Sequence, residues 1–264
     1  MAKTQSIKQL YELALAEGEG VGTAYEYYAK RLILLPWLAQ GERPKTMLVA
    51  GLPQKYGSSL DFLLLGAEMG CRITVVDDRQ DALVKLAQAL EQLQRAGYSP
   101  QLSPLLVQTG DVTRLAELTG QFDLVVSSEV LQRLDPQRRG IYINRLLEVT
   151  PNTALFTPNA DNSAHVGLSG LAGLHLEELG ELTGRNSRTG ELELESRTGY
   201  VDMPPFPPGI TRTDTQREEA TTGTTEAFAM WGLGIYARTE KFLPQALRRK
   251  KAHIVFGLYR PRQR

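Results

Sequence analysis

The chain has 264 residues, 42% of them hydrophobic and 23% charged, the balance of a globular protein long enough for one large α/β domain. Thirty Lys and Arg offset thirty Asp and Glu, so net charge leaves no footprint that would select a polyanionic partner. The single cysteine, Cys71, excludes an intramolecular disulfide, and the most apolar run near the start, Leu32 to Leu38, is interrupted by Pro36 and too short to cross a bilayer. The first residues lack an apolar signal core, so the expectation is a cytoplasmic protein without a transmembrane segment.

Helical apolar spacing runs through Ser6 to Ala16 and Thr23 to Leu35, separated by Gly18, Gly20 and Gly22. Met47 to Gly51 reads as a buried strand. Ser58 or Ser59 then caps a helix through Met69, which Gly70 closes. Arg72 to Val76 is a second apolar strand, followed by Asp77-Asp78 and a helix from about Gln80 to Arg95. The order repeats with a strand over Leu105 to Gln108, a short helix over Arg114 to Leu118, and a strand over Phe122 to Ser127. A helix over Pro136 to Glu148 and a strand over Ala154 to Thr157 complete it. This alternation predicts a Rossmann-like, three-layer α/β/α fold with a mostly parallel sheet flanked by helices. From Ala160 the rhythm stops. Only a short helix over Leu174 to Leu182, a proline-rich extended stretch over Met203 to Gly209 and a last strand over His253 to Tyr259 are readable. The expected organisation is one domain over 1–264. It comprises a helical cap at 1–45, a cofactor-binding core at 46–159, an insertion or lid over the acceptor site at 160–244, and a final strand with a basic tail at 245–264.

Ligands of open α/β sheets bind outside the carboxyl ends of the strands, and four such ends carry suitable residues. The first is Gly51-Leu52-Pro53 through Gly57, where glycines permit close backbone approach and the following helix offers free amides. The second is Asp77, 20 residues after Gly57, placed to accept hydrogen bonds from ribose hydroxyls, with Asp78 beside it. The third is Gly110-Asp111-Val112. The fourth is Phe122-Asp123-Leu124-Val125-Val126-Ser127-Ser128-Glu129-Val130-Leu131.

Together these four ends, over roughly Lys45 to Asn159, resemble the class I S-adenosylmethionine-dependent methyltransferases. The fourth is closest to the type that includes quinone-biosynthesis methyltransferases. The resemblance implies an antiparallel last strand, a loop after the first strand beside the methionine moiety, Asp77 on ribose, and Asp111 with the Val112 amide at the adenine. It places Ser127 and Ser128 against the cofactor. Where the family usually carries an acid two positions before its first glycine, Val49 stands here, and the loop is lengthened by Pro53 to Tyr56. The expected function is methyl transfer from S-adenosylmethionine to a small or lipid-like acceptor, by O-, C- or amine methylation. Two alternatives stay open: a methyltransferase-like interaction or regulatory protein without catalysis, and a nicotinamide-dependent oxidoreductase. The oxidoreductase shares the sheet and the ribose acid, but Gly-x-Gly-x-x-Gly is absent.

Methyl transfer needs a protein base only where the acceptor must lose a proton, and Glu129 and His165 are the candidates. Tyr28, Arg133 and Asn159 are candidate acceptor contacts. Tyr28 lies on the second N-terminal helix with Tyr25 and Tyr27, where aromatic spacing fits packing or a lid over the cofactor. Three histidines and one cysteine, widely separated, give no metal-ligand spacing. Arg248 to Lys251 reads as a solvated basic cluster that leaves open an anionic acceptor, a phosphate group or RNA.

Overall fold

The computed structural model describes residues 6–53, 59–95, 97–99, 101–106, 118, 122–186, 194–206 and 224–262. β1 (Thr46–Ala50) forms the centre of the sheet because Met47, Leu48 and Val49 are apolar on both faces and wholly buried. It pairs in parallel with β2 (Arg72–Asp77) on one side and β4 (Leu124–Ser128) on the other. β3 (Gln101–Leu106), β5 (Thr153–Pro158), β6 (Leu194–Val201) and β7 (Ile254–Pro261) complete seven strands in the order β3-β2-β1-β4-β5-β7-β6. β7 runs antiparallel to both β5 and β6. The fold is thus the expected Rossmann-like, mostly parallel sheet with an antiparallel last strand.

Alternation along the strands divides the core into two layers. Met47, Val49, Ile73, Val75, Val126 and Phe156 face one side, where α1 (Ile7–Ala16), α2 (Val21–Leu38), α3 (Leu60–Met69) and α4 (Gln80–Arg95) pack. Leu48, Ala50, Val76, Val125 and Leu155 face the other, under α5 (Pro136–Val149). Strand register then aligns the ends that matter. Ala50 is level with Val76, Ser128 with Phe156, and Ile254 with both Pro158 and Val201. Gly51, Asp77, Glu129, Asn159, Asp202 and His253 therefore emerge along one edge of the sheet.

Four sequence expectations need correction. The third strand lies at 101–106 instead of 105–108, and it contains Pro104, tolerated because β3 is an edge strand. α2 continues past Pro36 to Leu38, its last turn anchored by buried Trp37 beneath the Arg260 guanidinium at 5.4 Å. Ser59 precedes α3 but does not cap it: φ is +58° and its buried Oγ makes no hydrogen bond. The segment read as an insertion, 160–244, supplies β6 to the sheet itself, together with α6 (Ser163–Ser169), α7 (Leu176–Asn186) and α8 (Thr224–Thr239). No apolar alternation marks β6 in the sequence, because Glu195 to Thr198 are exposed and polar. A short helix, α9 (Gln245–Lys251), leads into β7. Among the described residues no helix is long and apolar enough to cross a membrane.

Candidate functional site

Strand order reverses between β1 and β4, which places the crevice of this sheet beside Gly51 and Glu129. Gly51 has φ +81°, and its amide donates to the Val76 carbonyl at 2.7 Å. A Cβ there would sit 2.4 Å from Val130 Cγ2 and 3.2 Å from Arg133 Nη2, so the chain approaches β4 as only glycine allows. Leu52 is buried, and its amide donates to Asp77 Oδ2 at 2.7 Å.

Asp77 is fully buried, and both its oxygens are engaged from within the chain. The Arg79 amide and Nε each donate to Oδ1 at 2.9 Å, and Arg79 Nη2 donates to Oδ2 at 3.0 Å. Arg79 Nη2 also reaches the Leu52 and Pro53 carbonyls at 2.8 and 3.3 Å, lashing the loop after β1 to the end of β2. Arg133 adds a second guanidinium, 3.7 Å from Asp77 Oδ2 and 3.5 Å from Asp78 Oδ1. Its buried Nε and Nη2 make no hydrogen bond. Burial opposes ionisation of Asp77, but the Arg79 bonds, the Leu52 amide and the Arg133 charge outweigh it and hold the carboxyl below its usual range. Gly51, Leu52, Pro53, Asp77, Asp78 and Arg133 are thus brought together. Gly57, Asp111 and Val112 lie outside the described residues.

At the end of β4 the three expected residues diverge. Tyr142 Oη donates to the Ala50 carbonyl at 2.7 Å, so its only proton is used. Ser127 Oγ, 2.7 Å away, must be the donor to Tyr142. Ser127 is therefore a strut between β4, α5 and β1. Ser128 Oγ accepts from Lys30 Nζ at 3.2 Å. Glu129 is buried with φ +56°, a left-handed backbone unusual for a residue with a side chain. Its amide donates to the Phe156 carbonyl and its carbonyl accepts from Gln132 Nε2.

Lys30 is the residue that sequence reasoning missed here. Its ammonium is buried 2.5 Å from Glu26 Oε1 and 3.9 Å from Asp61 Oδ2, and it lies over the Phe62 and Phe156 rings at 5.1 and 5.6 Å. Burial disfavours its charge, yet Glu26, Asp61 and Glu129 outweigh burial and raise its pKa. Both carboxyl oxygens of Asp61 are buried without a hydrogen bond, and burial raises that pKa against the pull of Lys30. The available signal was the Lys30-Arg31 pair, with Lys30 four residues after Glu26, in a mostly apolar helix.

Farther along the edge, Tyr25 Oη donates to Glu240 Oε2 at 2.9 Å. Burial, reinforced by the Asp202 carboxylate, pushes Glu240 up to about 7 despite the lowering hydrogen bond from Tyr25. Asp202, at φ +67° after β6, holds His253 Nδ1 at 2.9 Å. Burial lowers the His253 pKa, but Asp202 more than offsets it and raises it. His165, a candidate base, stacks on His253 with ring centroids 4.2 Å apart. Tyr28 is buried beneath the Arg238 guanidinium at 5.9 Å. Asn159 is fully buried. Its Nδ2 donates to the Arg249 and Ala252 carbonyls at 2.7 and 2.8 Å, so its amide fixes the entry to β7. Arg248 donates to the Tyr200 carbonyl, and Arg249 pairs with Asp161 and Glu177, both at 3.1 Å. Glu240 had left a trace in the sequence, as the only acid among the basic residues from Arg238 onward.

A cleft of about 510 Å³ bordered by Trp37, Arg43, Lys45, Asp123, Asn152 and Arg260 opens at the opposite, amino edge of the sheet. There Asp123 accepts the Lys45 and Thr46 amides and straps β4 to β1, a structural use of the motif's acid. Among the described residues no group of His, Cys, Asp and Glu could hold a metal ion.

No family model matches the sequence, and no curated protein does. Solved structures do. The methyltransferase domain of bacterial CtHen1 is 13% identical, with 88% of this chain and 97% of that chain covered at a TM-score of 0.51. The small RNA methyltransferase HEN1 is 12% identical, with 89% of this chain and 25% of that chain covered at a TM-score of 0.53. At such identities a likeness establishes architecture alone, and what it establishes is that this chain has the fold of the class I S-adenosylmethionine-dependent methyltransferases.

Proposed function

We propose that the chain binds S-adenosylmethionine in the crevice between β1 and β4 and methylates an acceptor held along the edge from Lys30 to Glu240. The observation that carries this reading is the convergence of Gly51, buried Asp77 and left-handed Glu129 at the point where strand order reverses. Gly51 lets the loop after β1 close on Val130 and Arg133 where a Cβ would clash, and the Arg133 guanidinium keeps buried Nε and Nη2 donors that make no hydrogen bond. Gly51, Leu52, Asp77, Arg133 and Ser128 are accordingly the residues that would hold the cofactor. Bound there, the sulfonium supplies an already activated methyl group, so the protein's task is alignment and proton handling. Glu240, titrating near neutral pH, is placed to take a proton at Oε1 or Oε2 from an acceptor, a role the sequence reading assigned to Glu129 and His165. Lys30 stays an ammonium and orients Ser128 and the carboxylates around it. The acceptor is small or lipid-like in this reading. RNA gains no support from Arg248 and Arg249, which are occupied within the chain.

Titration calorimetry with S-adenosylmethionine and S-adenosylhomocysteine tests the proposal: heat with either, abolished by Asp77→Ala in folded protein, is expected. No heat with either would overturn it. One observation favours the second reading, a methyltransferase-like protein without turnover: Arg79 already occupies both oxygens of Asp77. If Arg79→Ala binds cofactor and the natural chain does not, the corner is sealed and that reading stands.

A further inference from the structure

Helix α8 is apolar on two opposite sides. Its inner side, with Met230 and Ala237 buried, packs on α1 and α2. Its outer side repeats Phe228, Trp231 and Ile235 at helical spacing, and these are 71%, 60% and 41% exposed. Phe242, in the 3-10 turn (Glu240–Phe242) that follows, is 77% exposed. The Phe228 and Trp231 rings lie 5.6 Å apart and so form one patch. Aromatic surface of this extent marks an interaction site.

Among the described side chains of α8 and the turn after it, the exposed charge has one sign. Arg238 and Lys241 are exposed, with Lys241 Nζ 4.9 Å from the Phe242 ring centre. From Phe228 to Lys251 the only acid is Glu240, which is buried, so no carboxylate of this segment reaches the surface. Aromatic and aliphatic side chains bordered by cations, as among the described side chains from Phe228 to Lys251, are the composition that lies in the headgroup region of a bilayer. With 16 residues α8 is about 24 Å long, shorter than the ~30 Å hydrocarbon core, so it would lie in the plane of the surface. Pairing with a second copy would bring two sets of Arg238 and Lys241 together, whereas an anionic surface neutralises them.

We propose that the outer side of α8 and the turn after it form a docking surface for an anionic lipid bilayer. This stands whether or not the chain transfers methyl groups. The same turn carries Glu240 inward, so the surface and the acceptor edge share one element.

The test is flotation of the full chain with vesicles of phosphatidylcholine alone and of phosphatidylcholine with phosphatidylserine. The expected result is flotation with the phosphatidylserine vesicles, together with a shift of tryptophan emission to shorter wavelength. Trp37 is already buried, so that shift reports Trp231. Trp231→Ala and Phe228→Ala, both at exposed positions, should keep the circular dichroism of the parent and weaken partitioning roughly tenfold or more. Arg238→Glu with Lys241→Glu should abolish the preference for phosphatidylserine. No flotation with either vesicle, or flotation that the two alanine variants leave intact, overturns the proposal. A dimer seen by light scattering that Trp231→Ala dissolves overturns it as well, because the face would then belong to a second copy.

Discussion

The corner at β1 and β2 and the edge from Lys30 to Glu240 both bury charge, but they satisfy it differently. At the corner, Asp77 meets three donor groups of Arg79, the Leu52 amide and a second guanidinium, and its carboxyl is held low. Along the edge, Asp61 has no hydrogen bond to its carboxylate, Asp202 Oδ1 has none, and Glu240 is pushed up to about 7. Saturated charge fixes a backbone, whereas under-satisfied charge keeps free energy available for a ligand or a proton. The corner is therefore expected to respond to mutation through stability and cofactor binding, and the edge through stability that depends on pH and through acceptor binding.

Asp77→Ala is the largest perturbation available. It strips Arg79, Arg133 and the Leu52 amide of their acceptor, which should destabilise the fold by about 4 kcal/mol, read as a lower urea midpoint. The sign of the pH dependence follows from the depressed folded pKa. Stability from Asp77 is present above the unfolded value of about 3.9 and is lost as pH falls through the folded one. A variant as stable as the parent at pH 7 would show that Arg79 and Arg133 find other partners, and the contrast between the regions would collapse.

Lys30→Met probes the edge in the same way. Glu26, Asp61 and Ser128 lose their shared cation, at a cost of about 3 kcal/mol, less than at Asp77 because Glu26 is partly exposed. Adding Asp61→Asn should recover part of that loss, since it removes a buried carboxylate that no hydrogen bond satisfies. Additive losses in the double variant would mean that Lys30 and Asp61 do not sense each other.

Glu240→Gln separates the regions by pH instead of size. Because the folded pKa lies above the unfolded one, the native state binds the extra proton. Stability is then greatest below pH about 4.5 and declines as pH rises toward about 7, by on the order of 3 kcal/mol. Glutamine should flatten that decline and, if Glu240 accepts the acceptor's proton, remove the acidic limb of the methyl-transfer rate profile. Identical pH profiles for parent and variant would take Glu240 out of both roles.

The positions of this site were more legible than its partnerships. β1, β2, α4, α5 and β5 fall within two residues of their expected bounds because apolar runs and glycines mark them. Strand ends then locate Gly51, Asp77 and Glu129 without further information. What sequence spacing does not encode is which side chain turns toward which end. Arg79 bends back on Asp77 from two residues away, and Lys30 crosses 98 positions to reach Ser128. Asn159 and Tyr28 stand at or near the site edge, yet their side chains are engaged in the fold. β6 was hidden for a related reason: an edge strand with a polar exposed face carries no apolar rhythm.

The smallest expected effect is also the sharpest test of how the two regions divide. Ser127 sits at the end of β4, between them, where the resemblance to the methyltransferases points it at the cofactor. In the structure its hydroxyl donates to Tyr142, whose own proton goes to the Ala50 carbonyl. Ser127→Ala therefore removes one donor while Tyr142 keeps its bond to Ala50, and the loss should be about 1 kcal/mol with cofactor heat unchanged. Tyr142→Phe removes both bonds, taking the Tyr142 donor from the Ala50 carbonyl and the acceptor from the Ser127 hydroxyl, so it should cost more, about 2 kcal/mol. If Ser127→Ala instead left the urea midpoint alone and weakened S-adenosylmethionine, Ser127 would face the crevice when ligand is bound. The strut between β4, α5 and β1 would then be a resting arrangement that the cofactor replaces.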